Sequence, residues 1–206
     1  MFVRGAAIRP VPQWAVVERT TLQKVEGDIA ELSDDDDTQT LDDAFDRFER
    51  SQPALADRMN DVLGRPLDNT ALALGYFLSI AIWLGFEEQF PGRMRAVTPD
   101  SLEATEASLT LEEELRAKLP TEPLEVDDVV ACAQPGVMSF VNEHIEQALE
   151  TALQSGEEQE AGQTREVDVD DVHLVYRNLL VLALALSHAV QPVGGEATPG
   201  GTEMLA

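Results

Sequence analysis

Side chains able to do chemistry are few in this chain and widely spaced. The histidines are His144, His173 and His188, and the single cysteine is Cys132. Asp170 and His173 stand three apart, which puts a carboxylate and an imidazole on one helix face, while Glu143 and His144 adjoin elsewhere with Gln147 one turn on. Imidazole and carboxylate together are ligands for a transition metal, so Asp170, His173, Glu143 and His144 are the candidates for a metal-binding or enzymatic reading. A di-iron helical bundle asks for more, namely Glu-x-x-His on each of two helices and further inward glutamates. The apolar stretches 71–86 and 174–190 hold no carboxylate at all. The expectation is therefore no metal and no cofactor.

Other catalytic signatures fail in the same residue-by-residue way. There is no Gly-Lys pair for a phosphate loop, and neither Gly-x-Ser-x-Gly nor His-Glu-x-x-His occurs. A calcium loop starting at Asp34 would need glycine where Gln39 stands and glutamate where Phe45 stands, and one starting at Asp168 meets Val172 at a ligand position. Cys132 sits among Val130, Ala131 and Ala133, an apolar setting that disfavours the thiolate, so it reads as a packing residue. One cysteine also excludes an intrachain disulfide and a cysteine-based zinc site. No catalytic residue is expected, and the chain reads as a non-enzyme.

The charge points to a binding role. The 206 residues carry 14 Lys+Arg against 39 Asp+Glu, a formal net charge of −25. Such a surface repels phosphate backbones and anionic lipid, so direct nucleic-acid binding and membrane binding are not expected. A basic protein partner is, with an inhibitor or immunity-type protein as one form and a homodimer as a further expectation; a purely solubilising role is the competing account. The acidity is uneven: residues 1–30 carry four basic and three acidic groups, and residues 97–206 carry 4 basic and 22 acidic ones. The second half is thus where a basic partner is expected. The N-terminus lacks a signal pattern, which makes a cytoplasmic location the default.

The elements that would hold these residues are helices. Leu41, Ala44, Phe45 and Phe48 repeat at helical spacing; Pro53 suits a first turn, with Leu55, Met59, Val62 and Leu63 behind it; and a helix from Asp68 or Asn69 to about Gln89 is apolar on every side. Thr98-Pro99 and Thr110 to Glu113 predict two short acidic helices before Pro120. Helices at 126–133 and 135–154 follow, then a last one capped by Asp168 to Asp171. The uncharged runs 71–86 and 179–190 fall short of the roughly 20 residues of a membrane span, so buried core helices are expected.

The chain also resembles itself. Gln52-Pro53 and Gln134-Pro135 lie 82 apart, with Asn60 and Asn142 at the same interval behind them. At an offset of 100, Leu72, Leu74, Tyr76, Ile80 and Leu84 fall on Val172, Leu174, Tyr176, Leu180 and Leu184. The two glutamines are expected to cap a helix end or the backbone of the partner half, and the two asparagines to cross-link helices. The expected fold is all-α, a bundle of about seven to eight helices built from two similar halves about a pseudo-two-fold axis. The expected bounds are an extended arm and acidic linker (1–37), one helical domain (38–190, with repeats at 41–90 and 127–190 around a connector at 91–126) and a disordered tail (191–206).

Overall fold

A computed structural model describes residues 7–33, 39–118, 126–157 and 168–194. They form eight α-helices: α1 (Arg19–Ser33), α2 (Gln39–Ser51), α3 (Pro53–Leu63), α4 (Asn69–Gln89), α5 (Pro99–Ala117), α6 (Val126–Ala133), α7 (Pro135–Glu157) and α8 (Val169–Ala189). The protein is an all-helical bundle. Extended pairing among the described residues is limited to an isolated bridge between Met94 and Val190.

Two helices of 21 residues, α4 and α8, make the centre. Each starts on an aspartate that satisfies otherwise orphaned N–H groups. Asp68 Oδ1 accepts from Thr70 N (2.7 Å) and Ala71 N (2.9 Å), and Asp168 Oδ1 accepts from Asp170 N (2.9 Å). The two caps also hold each other: Asp68 N donates to Asp171 Oδ2 and Asp168 N to Asp68 Oδ2. Midway, Gly75 lets the helices close, since a Cβ there would lie 3.2 Å from both Val175 methyls and nearer to Leu63. By length and apolarity either helix could cross a membrane, yet most of each is buried inside the fold. Leu78, Ile80, Ile82, Trp83 and Phe86 of α4 and Leu179, Val181, Leu184 and Leu186 of α8 are all but inaccessible. Burying one such side chain is worth about 1.5–3 kcal/mol, so these two helices make a large contribution to cohesion.

The other helices wrap this pair crosswise. α1 and α7 pack on α4 and on each other, whereas α5 and α3 pack on α8. A buried glutamine stands at the start of α3 and another at the start of α7, and each grips an extended stretch far away in the chain. Gln52 Nε2 donates to Arg95 O (3.0 Å) while its Oε1 accepts from Val97 N (2.8 Å). Gln134 Nε2 donates to Ala15 O (2.6 Å) and Ser187 Oγ (2.7 Å), and its Oε1 accepts from Val17 N (3.0 Å). In both cases one amide satisfies the carbonyl of a residue and the N–H two positions on, just ahead of a helix.

Three expectations change. Residues 19–33 are not an extended arm or linker but helix α1, because Leu22, Val25 and Ile29 recur on one face and bury against the body. Residues 7–18 hold only the short 3-10 turn Gln13–Ala15. The acidic stretch 34–38 and the chain from 195 onward lie outside the described residues. The expected pair of short helices before Pro120 is the single helix α5: no Gly or Pro interrupts 100–117, and Leu102, Thr105, Leu109 and Glu112 form one buried stripe. Asn60 and Asn142 are not buried cross-links inside the bundle; both are exposed, Asn142 at a cleft between α7 and α8.

Candidate interaction groove

The four metal candidates do not converge. Asp170 and His173 sit exposed near the start of α8, where His173 lines a small cleft of about 270 Å³ with Asn142, Glu146 and Tyr176. Glu143 is engaged by Arg19, whose Nη2 lies 2.5 Å from its Oε2. His144 has both ring nitrogens committed, Nδ1 to Phe140 O at 2.9 Å and Nε2 to Glu26 Oε1 at 3.0 Å, with its ring 4.2 Å from that of Phe140. Among the described residues no three His, Cys, Asp or Glu side chains stand together as a metal would need. The packing role expected for Cys132, in α6, concerns a side chain outside the described ones. His188 faces Pro10 O at 3.3 Å, and burial pushes its imidazole below the usual range, with the Arg9 charge adding to the effect and the backbone at Pro10 and Arg9 opposing it.

A different arrangement combines apolar surface with charge. α1, α2 and α4 enclose a groove of about 440 Å³. Its floor is Val25 and Ile29 from α1, Leu41 and Ala44 from α2, and Leu84 from α4. Helical spacing explains the set: Val25 and Ile29 are one turn apart, as are Leu41 and Ala44, so each helix offers the edge of its apolar stripe. The rim is acidic, with Asp28, Asp43, Glu87 and Glu88 against Arg47.

Ion pairs brace the walls. Lys24 of α1 reaches Glu88 of α4 at 2.5 Å and Asp28 at 3.7 Å, and these carboxylates hold its ammonium above the usual lysine range. Arg47 of α2 reaches Glu87 of α4 at 2.6 Å and lies 5.4 Å over the Trp83 ring. Partial burial pushes the Glu87 carboxyl up, and Arg47 works against that shift. Even with both cations counted, four carboxylates outnumber them, so the groove presents a net negative rim above an apolar floor. Its volume lies in the range that holds a few apolar side chains or a small ligand.

Sequence reasoning missed this groove because residues 19–33, one of its walls, were assigned to an arm. The signal was present in Val25, Asp28 and Ile29, an apolar pair bracketing a carboxylate at helical spacing. The acid-rich second half offers many carboxylates but, among the described residues, its 270 Å³ cleft is smaller and carries Glu146 as its sole carboxylate. Comparison with family models, curated proteins and solved structures finds no match to this chain.

Proposed function

We propose that this is a non-catalytic helical interaction protein that binds a basic protein partner at the groove between α1, α2 and α4. The observation that carries the reading is the pairing of an apolar floor with four rim carboxylates against two cations. Carboxylates alone would serve solubility equally well; the partly exposed Leu41 and Leu84 beside them favour an occupant that brings both positive charge and apolar surface. Arg47 and Lys24 are tied to the wall and so do not compete with an incoming cation for Asp43.

The test is titration of the full chain with short poly-L-arginine, and with poly-L-glutamate as the opposite-charge control, at two salt concentrations. Expected is binding of the cation alone that weakens with salt, and weakens further in the rim variant Asp28→Lys/Asp43→Lys. Equal binding by wild type and rim variant removes the groove from the reading.

We also infer that the chain is built from two similar halves, 11–90 and 91–190, related by a pseudo-two-fold axis between α4 and α8. What supports this is the matched use of Gln52 and Gln134, the equal length and aspartate caps of α4 and α8, and the crosswise packing of α3 on α8 and α7 on α4. At an offset of 80, Val17, Leu22, Val25 and Ile29 fall on Val97, Leu102, Thr105 and Leu109, all eight of them buried. Neither half hides its long apolar helix alone; crossing the halves hides both.

A further inference from the structure

The chain itself shows how one such groove is filled. Applying the offsets of 80 and 100 puts Ile29 on Leu109, Leu84 on Leu184 and Glu88 on His188, so the α1–α4 side of the groove has its counterpart in the α5–α8 seam. That seam is spanned by residues 7–10. Ala7 N donates to Glu112 Oε2 of α5 at 2.5 Å, Pro10 O faces His188 Nε2 of α8, and Ile8 between them is 6% exposed. Arg9 stays exposed. The segment is non-helical with a bend at Ile8, proline-bearing and basic, with one branched apolar side chain turned in. No described residue lies in this way over the α1–α4 side.

We infer that the groove between α1, α2 and α4 binds an extended, non-helical segment of a separate protein, in which a branched apolar residue adjoins an arginine or lysine. This rests on the proposed function and deepens it. The apolar residue takes the place over Val25, Ile29 and Leu84 that Ile8 takes over the seam. The cation faces Asp28 and Asp43 on the rim, where Arg9 in the seam faces solvent and His188. A separate protein suits the groove better than a second copy of this chain. The segment 7–10 is already committed in its own molecule, and Gln134 holds the residues that follow it.

The probe is a fluorescein-labelled peptide reproducing residues 4–13 (Arg4 to Gln13), set against an alanine-rich helical peptide of equal net charge that also carries one isoleucine. Binding to the full-length protein is followed by fluorescence anisotropy. Expected is saturable binding of the extended peptide, at least about tenfold weaker in Leu84→Arg and in Asp43→Lys and unchanged in the seam variant Glu112→Gln; a rim charge and a floor side chain each commonly carry that much. Asp43 is exposed, so its variant stays informative should Leu84→Arg fail to fold. Binding that is lost in Glu112→Gln but kept in the groove variants means exchange at the seam and overturns the inference. Tighter binding of the helical peptide at the groove overturns the extended-segment inference while leaving a basic partner in place. Absence of binding by both peptides, with poly-L-arginine also indifferent to the rim variant, overturns both. Concentration-dependent self-association abolished by Leu84→Arg would replace the separate partner with a second copy.

Discussion

Removing the Gln134 amide tests how the N-terminal stretch is held. The side chain is inaccessible and makes three hydrogen bonds. In Gln134→Ala, Ser187 Oγ keeps its bond to Ala183 O at 2.6 Å, so the hydroxyl is not orphaned. Val17 N and Ala15 O are, and both residues are buried, at 1% and 0% exposure. An orphaned buried group costs about 1–3 kcal/mol, so two of them with the residual cavity come to about 3–5 kcal/mol. In a chain of this size that lowers the melting temperature by about 10 °C. Circular dichroism melts read the global effect, and hydrogen exchange at Val17 N reads release of the stretch itself. The variant Gln134→Glu separates donor from acceptor. Its buried carboxyl titrates above the roughly 4.3 of an exposed glutamate, because burial penalises the ion. While protonated it can donate to Ala15 O; once ionised it faces that carbonyl with like charge. A carboxyl whose folded value is raised contributes stability at low pH that is lost as pH rises through that value. The gap in melting temperature from wild type is therefore small near about pH 5 and wide near about pH 7.5. A Gln134→Ala melt within about 2 °C of wild type, together with unchanged exchange at Val17, refutes the reasoning.

Three further outcomes follow from other sites. Gly136→Ala puts a methyl within 2.7 Å of Arg19 N and closer still to Val17 O, both backbone, whereas Gly85→Ala meets only the end of the flexible Leu22 side chain. Gly136→Ala should cost about 2–3 kcal/mol in urea melts and Gly85→Ala clearly less; equal costs would show that the backbone contact is not the limit. His188 has its imidazole held below the usual range by burial, so it supports the fold above the ordinary histidine value and withdraws that support as pH falls through the lowered one. Melting curves of wild type should therefore lose more between about pH 7 and about pH 5 than those of His188→Gln, and parallel losses would rule out that contribution. Asp170→Ala and His173→Ala should leave the melting temperature unchanged with or without added zinc, as read by calorimetry, since neither side chain stands in a three-ligand group; a zinc-dependent rise lost in either variant would restore the metal reading.

Much of the bundle was legible because its signals are local. Asp68 and Asp168 as caps, Pro53 and Pro135 at first turns, the apolar periodicity of 41–48 and the uninterrupted apolar run 71–86 each depend on a few neighbouring residues, and all reappear in the helices. What failed was weak or non-local. α1 lacks a capping signal and contains Gly27, so its Leu22, Val25 and Ile29 stripe was outweighed by the prolines before it. Thr110 and Glu113 have capping-box spacing, yet inside α5 they serve Arg177, with Thr110 Oγ1 accepting at 2.8 Å and Glu113 Oε1 at 2.9 Å. Spacing cannot tell a helix start from a mid-helix pair that a distant arginine will engage. The groove was illegible for the same reason, as its floor is assembled from three helices up to 59 positions apart.

The proposed pairing of two halves bears on why, among the described residues, one side keeps a groove whose counterpart is covered. If two copies of a half pack about an axis, each exposes the same seams, and any segment that covers one has no covalent route to cover both. Residues 7–10 precede the first half and can reach the α5–α8 seam beside the end of α8, where Trp14 Nε1 also approaches Val190 O at 3.5 Å. The residues in the equivalent position before the second half, 87–90, are used up as the end of α4 and its cap. They cannot fold back over α1. On the proposed arrangement the asymmetry comes from covalent connectivity, and the side chains are consistent with it. The covered seam pairs Glu112 with Arg116 at 2.7 Å and with the Ala7 N–H, leaving little charge unmatched, while the open side keeps Asp28, Asp43, Glu87 and Glu88 on its rim. Under the proposed two-fold arrangement, the α1–α4 groove is the one left for a partner and its counterpart at α5–α8 is covered by residues 7–10.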